Sequence, residues 1–492
     1  MKKPYNFQLK LMPMVFMTMV MFLLVAPNAL KAQTVEDGTA ASPFLIESRQ
    51  ELLDFNACMA TNQPFYHDGT TFVTTSDPAY VKIFAGGKLS ETAPAYFKLT
   101  TDIVVNTGDV AGCGGLKDND WVVWEPISTF NGHFDGDYHV ISGIFSVQTD
   151  ATKKGGLFSE LSGATAVVEN LGVANSYFAG IEFVGGIAGT LQDNAIIRHS
   201  FFEGSIEGAS DYCGGITGFL NGGSIIDECY STGSVYGLGY FNGGVVGRVG
   251  AGCTLTKSYS SASVQSLGGT TGGVYGSNEE GTIENCYYDK QMTDRTSAEA
   301  ISRLTYEMTH NPFPNMGSGY VNTADFYPYL TGFDFSKVPV RLSVLPIFLH
   351  ATGSLDYETM DLLMTDFTVG TTEGAVWSVT SWNDCASVSG TTVTLNQQGV
   401  ANLIVTLDGY TRTYIIRPYV APFLGSAENP FTIDDLTDLT NFCEGINNGI
   451  DFLYKRVLVN ATNLPNTHWL QTANIDMSSV SDWTPVDRKS VV

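Results

Sequence analysis

The residues best suited to acid–base or metal chemistry are His133, Asp135 and His139, three such groups within seven positions. Two imidazoles beside a carboxylate could ligate a metal or relay a proton. The same stretch, Phe134-Asp135-Gly136-Asp137, has the composition of a tight turn in which Asp135 bonds its own backbone. The turn is the expectation. No His lies in HExxH, and neither a GxSxG elbow nor a P-loop is present. No catalytic, cofactor or metal-binding residues are therefore assigned. A second group, Glu203, Glu207, Asp211, Asp227 and Glu228, offers oxygen ligands that would suit Ca²⁺. A solvated acidic face is the simpler expectation. A third group is aromatic. Tyr230, Tyr259 and Tyr287 could contact sugar rings if they face outward, and would be core packing if they face inward. Tyr236, Tyr240 and Phe241 are weaker candidates of the same kind.

Charge narrows the partners. The 492 residues carry 25 basic and 50 acidic side chains, a net −25. Phosphate binding needs a basic footprint, so nucleic acid and anionic membrane surfaces are poor partners. Hydrophobic residues make up 43%, enough to build cores, which argues against a disordered chain.

Positioning begins with compartment. Lys2, Lys3 and Lys10 precede an apolar run from Leu11 to Ala26, followed by Ala29-Leu30-Lys31-Ala32. The run is short for a bilayer-spanning helix of about 20 residues. It reads as a secretory signal peptide over residues 1–32, cleaved after Ala32. Its removal takes four Lys and no acid, leaving 21 basic against 50 acidic residues, a net −29. A secreted or cell-surface protein is implied, with no membrane insertion after cleavage. Eight Cys occur without any CxxC, so neither a zinc nor a redox motif is supported.

A repeat dominates the middle of the chain. Gly-Gly-apolar-x-small starts at Gly155, Gly185, Gly214, Gly243 and Gly272, in steps of 30, 29, 29 and 29 residues. A second pattern keeps phase with it: Ile197-x-x-Ser200-Phe201, Ile226-x-x-Cys229-Tyr230, Leu255-x-x-Ser258-Tyr259 and Ile283-x-x-Cys286-Tyr287. A unit this small cannot bury its own apolar face, so the copies must stack. Short β-type runs broken by Gly, without helical periodicity, predict an all-β solenoid. The fixed-phase glycines suit corners of positive φ or close backbone approach. Ile197, Ile226, Leu255 and Ile283 should line the interior. Ser200, Cys229, Ser258 and Cys286 form a small-residue ladder, making Cys229 and Cys286 free thiols. Phe201, Tyr230, Tyr259 and Tyr287 form an aromatic ladder.

Together the Gly-Gly-Ile-Ala-Gly unit and the following Ile-x-x-Cys-Tyr resemble the GLUG motif. The block Trp124-Glu-Pro-Ile127 through Phe130-Asn-Gly-His-Phe-Asp-Gly136 to Ile141 resembles the lead-in such proteins carry. The resemblance covers roughly residues 95–335. The motif occurs in exported and surface proteins of anaerobic gut and oral bacteria, and in the non-catalytic part of streptococcal immunoglobulin A protease. It implies a right-handed parallel β-helix, an adhesin-like role and no known catalytic residues. Parallel β-helices also include polysaccharide lyases and hydrolases, the enzyme alternative. Those need in-phase carboxylates with a basic partner. Residues 155–290 carry only Arg198, Arg248, Lys257 and Lys290, and no Asp pair recurs in phase.

The remaining segments frame the solenoid. Residues 33–154 are read as an N-terminal cap with the first coils, and 155–290 as the repeat helix. Ser48-Arg-Gln-Glu51 is a capping box. Thr296-Ser-Ala-Glu299 is read as another, opening a helix with Ala300, Ile301, Leu304 and Met308 on one face of a C-terminal cap, 291–335. Residues 336–420 alternate in short runs at 391–395, 401–405 and 414–416, and resemble a bacterial immunoglobulin-like β-sandwich. From 421 to 492 the chain starts again. Gly38-Thr-Ala-Ala-Ser-Pro-Phe-Leu-Ile46 corresponds to Gly425-Ser-Ala-Glu-Asn-Pro-Phe-Thr-Ile433, and seven of the 18 pairs from 38/425 to 55/442 are identical. Trp483-Thr-Pro-Val486 echoes Trp124-Glu-Pro-Ile127. The segment reads as an incomplete second copy, and the chain as a fragment of a longer tandem protein whose continuation could hold an anchor or a catalytic domain. The expected function is an exported, adhesin-like solenoid that binds glycan or host or matrix protein. The non-catalytic arm of a larger secreted protease is the other alternative to an enzyme.

Overall fold

The computed structural model describes residues 36–416, except 267, 294, 311–312, 352–353, 356–361, 364–365, 382–383 and 397–398. Beyond these it describes 430–448, 452–454, 457–459 and 467–478. Residues 1–32, expected to be a signal peptide, the stretch 421–424 and the Trp483 block lie outside the described residues.

The repeat winds into a parallel β-solenoid. One face is a six-stranded sheet in which Ile127–Phe130, Phe158–Ser162, Ala188–Gln192, Thr217–Leu220, Val246–Val249 and Tyr275–Asn278 follow one another. A longer face holds Val167–Gly180, Phe201–Gly208, Tyr230–Gly237 and Tyr259–Ser266, again parallel, with one register shift between Val173 and Ser176. A third, narrow sheet has two residues per coil, from Val184–Gly185 to Thr271–Gly272. With strands about 4.8 Å apart, six rungs span about 24 Å.

The register explains the repeat. Ile197, Ile226 and Leu255 pair in one column and are completely buried in the lumen. Ile283 extends the column but is only partly buried, because Thr282–Glu284 is the last strand on that path. Ser200, Cys229, Ser258 and Cys286 are all fully buried. Ser200 Oγ accepts from the Leu171 amide and Ser258 Oγ from the Cys229 amide, both at 3.1 Å. All eight Cys are free, and burial pushes the Cys286 thiol up to about 12.

From Gly185 onward the paired glycines are set by close approach, whereas Gly156 of the first pair also has a φ of 153°. None of the eight from Gly185 to Gly273 has positive φ. A Cβ on Gly185, Gly214, Gly243 or Gly272 would overlap the carbonyl of Ala188, Thr217, Val246 or Tyr275. On the second glycine of each pair it would meet Phe202, Ser231, Ser260 or Tyr288. Only Gly keeps these turns closed.

At the N-terminal end, Phe44–Ile46 pairs parallel with Tyr96–Leu99, which pairs with His133–Ser142. The helix Arg49–Ala60 lies over this end. Ser48 Oγ accepts from the Glu51 amide, while the Glu51 carboxylate accepts from the Glu47 amide at 2.6 Å. This capping device is the expected one, with its return bond one residue earlier.

The other end differs from the sequence reading. Thr296–Glu299 opens no helix. Ser297 Oγ accepts from the Val274 and Tyr275 amides and donates to the Tyr275 carbonyl. Ile301–Arg303 then pairs as a further parallel strand with Tyr287–Asp289. The helix begins only at Thr305 and runs to His310. The unpaired edge of the final coil claims this segment's hydrogen bonds, and that demand outweighs the local helix signal.

Residues 336–416 do not start as sheet. Val338–Ser343 is a short helix against the solenoid, and Tyr230 shares a 2.8 Å hydrogen bond with Ser343. Two antiparallel sheets follow. One contains Asp366–Thr368, Thr392–Leu395 and Ala386–Ser389. The other contains Val376–Ser381, Ala401–Leu407 and Tyr410–Ile416. Phe367, Val393, Trp377, Leu403 and Val405 are buried in one core with the solenoid's aromatic ladder. This unit is packed on the solenoid's flank.

The described part of 430–478 opens with a strand and a helix. Phe431–Ile433 pairs parallel with Trp469–Gln471, and the helix Leu436–Asn448 follows. Both the strand and the helix start 387 positions after Phe44 and Arg49. Asp435 accepts from the Asp438 amide and Asp438 from the Asp434 amide, as Ser48 and Glu51 do.

Candidate functional site

The histidine–carboxylate group disperses. His133 Nε2 lies 2.7 Å from Glu169 Oε1, whereas His139 Nδ1 lies 3.2 Å from Asp102. Asp135 accepts from the Asp137 amide and from Asn170, both at 2.9 Å, which is the expected turn. Each of the three answers to its own partner. The hydrogen bond from His133 and the Arg198 guanidinium hold the Glu169 carboxyl down to about 2.

The five acidic residues form neither a Ca²⁺ cage nor a solvated face. Glu203 is 4% exposed and paired with Arg412. Glu207 accepts from Tyr177, and Asp211 from the Tyr240 amide. Asp227 and Glu228 share Lys257, and Glu228 also meets His199. Among the described residues, no three His, Cys, Asp or Glu side chains are grouped to hold a metal. Nor is any helix long and apolar enough to cross a membrane.

Tyr230, Tyr259 and Tyr287 are the principal correction. All three are fully buried, so no sugar reaches them in this structure. They lie on the outer side of the long face, beneath the C-terminal cap and the segment that follows it. Phe201 stacks on Tyr230 at 4.9 Å and 4°, and Tyr230 on Tyr259 at 5.1 Å and 8°. The cap adds the next ring, Phe313, at 4.6 Å from Tyr287. The hydroxyls are used internally, Tyr259 donating to the Pro328 carbonyl and Tyr287 to that of Pro314. Burial raises the Tyr259 hydroxyl well above its ordinary value.

A second ladder stands on the opposite corner. Phe183, Tyr212 and Phe241 occupy successive coils, each two residues before a Gly-Gly pair. Their rings stack at 4.7 Å and 2°, then at 5.2 Å and 18°. All three are partly exposed, and Tyr240 beside them is 54% exposed. Phe219 leans against Phe183 and Tyr212 at about 30°. The Arg248 guanidinium sits 5.3–5.8 Å from the rings of Tyr212, Phe219 and Phe241, and its Nη1 donates to the Tyr212 hydroxyl. Lys154 lies 5.8 Å from the centre of Phe183. Of this group, only Phe241 and Tyr240 stand out in the sequence. The missed signal was the aromatic residue recurring two positions before Gly185, Gly214 and Gly243.

No family profile and no curated relative matches the chain. A solved structure from Bacteroides ovatus, named as a candidate immunoglobulin A1 protease, aligns at 18% identity over 61% of this chain and 95% of that one, with a TM-score of 0.41.

The long-range ion pair is the other feature sequence reasoning missed. Arg412, on the strand Tyr410–Ile416, is 4% exposed. Its Nε meets Glu203 of the solenoid and its Nη1 lies 3.6 Å from Asp109. The contacts are ionic more than aligned hydrogen bonds, since neither nitrogen has a partner of good angular geometry. Burying such a triad ties the module to one place on the solenoid.

Proposed function

We propose that the chain is an exported, surface-associated, adhesin-like protein of the GLUG type. In this reading residues 1–32 direct export and are removed. The solenoid presents a rigid repetitive surface to glycan or to host or matrix protein. The immunoglobulin-like module at 336–420 braces the solenoid, and 421–492 begins a second copy. The observation that carries the reading is the partly exposed row Phe183–Tyr212–Phe241, aligned along a scaffold whose other aromatic ladder is buried. Solvent-facing aromatic groups on a rigid element are typical binding material. The test is retention of the purified protein on mucins, plant polysaccharides and matrix proteins, with new reducing ends measured in the same samples. Retention without cleavage is expected. Cleavage abolished by changing an acidic residue of the solenoid would replace this reading with that of a carbohydrate-active enzyme.

A further inference from the structure

We infer that the strip formed by Phe183, Tyr212, Phe219, Tyr240 and Phe241 binds a linear, neutral polysaccharide lying along the solenoid axis. The inference rests on the adhesin-like reading and names its ligand class and site.

Backbone geometry is the first reason. Phe183, Tyr212 and Phe241 have φ of 56°, 69° and 63°. Most other left-handed positions outside Gly are Asn or Asp, whose short polar side chains tolerate that region. A bulky aromatic residue there is strained, and strain of this kind collects at functional positions. The left-handed corner recurs here on three consecutive coils, as it does at His199, Glu228 and Lys257, but here it carries an aromatic ring each time and leaves that ring partly exposed.

The second reason is what the rings offer. Phe219 tilts by about 30° and Tyr240 stands at 47° to Phe241, so these two break the stacked row. Beside them the sheet register aligns Glu160, Thr190, Phe219 and Arg248, with Thr190 buried and the other three partly exposed. Apolar rings beside hydrogen-bonding side chains suit a sugar chain, which presents C–H faces and hydroxyls together. Because one ring recurs per coil at Phe183, Tyr212 and Phe241, the fitting ligand is also a repeating chain.

Charge decides between sugars. Arg248 and Lys154, the cations at the strip, are already paired with Glu279 and Glu160. The whole chain carries −25, so a polyanion approaches against its field. A neutral chain pays no such penalty.

The test uses the full chain and soluble xylan, glucomannan and hydroxyethyl cellulose as probes, with mucin and matrix proteins alongside. The variant is the triple Phe183→Asn, Tyr212→Asn, Phe241→Asn, because Asn keeps the left-handed backbone while removing the rings. Retention of a neutral polysaccharide that falls at least about tenfold in the triple variant is expected. If the triple variant fails to fold, Tyr240→Ser carries the test, with a smaller loss in the same direction. Polysaccharide binding unchanged by these substitutions would overturn the inference. So would binding of mucin or matrix protein alone, which would leave the adhesin-like reading standing. Binding of nothing would overturn both.

Discussion

The two aromatic ladders share a period and differ in what covers them. Phe201, Tyr230, Tyr259 and Tyr287 climb the long face, one ring per coil, with Tyr230 4.9 Å from Phe201 and 5.1 Å from Tyr259. Phe183, Tyr212 and Phe241 climb a corner at 4.7 and 5.2 Å. The repeat thus dictates the stacking in both. Burial is dictated elsewhere, by residues 291–416, which fold back over the first ladder and leave the second to solvent. A solenoid coil holds two environments for the same residue type, and the chain beyond the repeat decides which is a core and which is a surface.

Truncation should break the comparison most strongly. Tyr230→Ala should destabilise the protein by about 4 kcal/mol, the usual size for removing a buried aromatic ring. Tyr212→Ala should lie within about 1 kcal/mol. Urea unfolding of both variants checks the difference, and equal losses would erase the distinction between the ladders.

The clamp over the buried ladder comes next. Arg412→Met leaves Glu203 buried without its cation and should cost about 3 kcal/mol. Adding Glu203→Leu should recover much of that loss, because the more deeply buried of the two carboxylates facing Arg412 is then gone. A double variant as weak as the single would show that the ion pair itself holds the module.

Glycine contributes a smaller effect. Gly244→Ala pushes a Cβ into Ser260 and the Gly273 carbonyl, and should cost about 2 kcal/mol. Gly252→Ala, at φ 73° with nothing nearby, should cost only about 1 kcal/mol.

Acid gives the mildest perturbation. The Glu169 carboxyl is held at about 2 in the folded chain, below its ordinary 4.5. A depressed carboxyl favours folding above its unfolded value, and this contribution disappears as pH falls from about 4.5 to about 2. Thermal unfolding across that window should show a shallower acid loss in Glu169→Gln than in the parent.

Much of this architecture is legible in the sequence. Two in-phase motifs fix the coil, the register and the buried column Ile197–Ile226–Leu255, because one coil's residue meets its counterpart in the next. Ser48 and Glu51 announce a cap that forms, since its bonds are local. The failures share a cause. Thr296–Glu299 has the same local signal, but an open sheet edge competes for its backbone. Glu203 reads as surface acid until Arg412 arrives from another module. Tyr230 reads as core more readily than as ligand platform, but periodicity alone is blind to what packs outside the coil. The corner ladder was visible in principle, at the position two before each Gly-Gly pair.

Nitration of tyrosine in the folded protein, mapped by peptide mass, tests the sorting of the two ladders directly. Tyr240 and Tyr212 should be modified, while Tyr230, Tyr259 and Tyr287 stay protected until the protein is unfolded. Nitration of the Tyr230 ladder in the folded chain, at a rate matching Tyr240, would contradict the account.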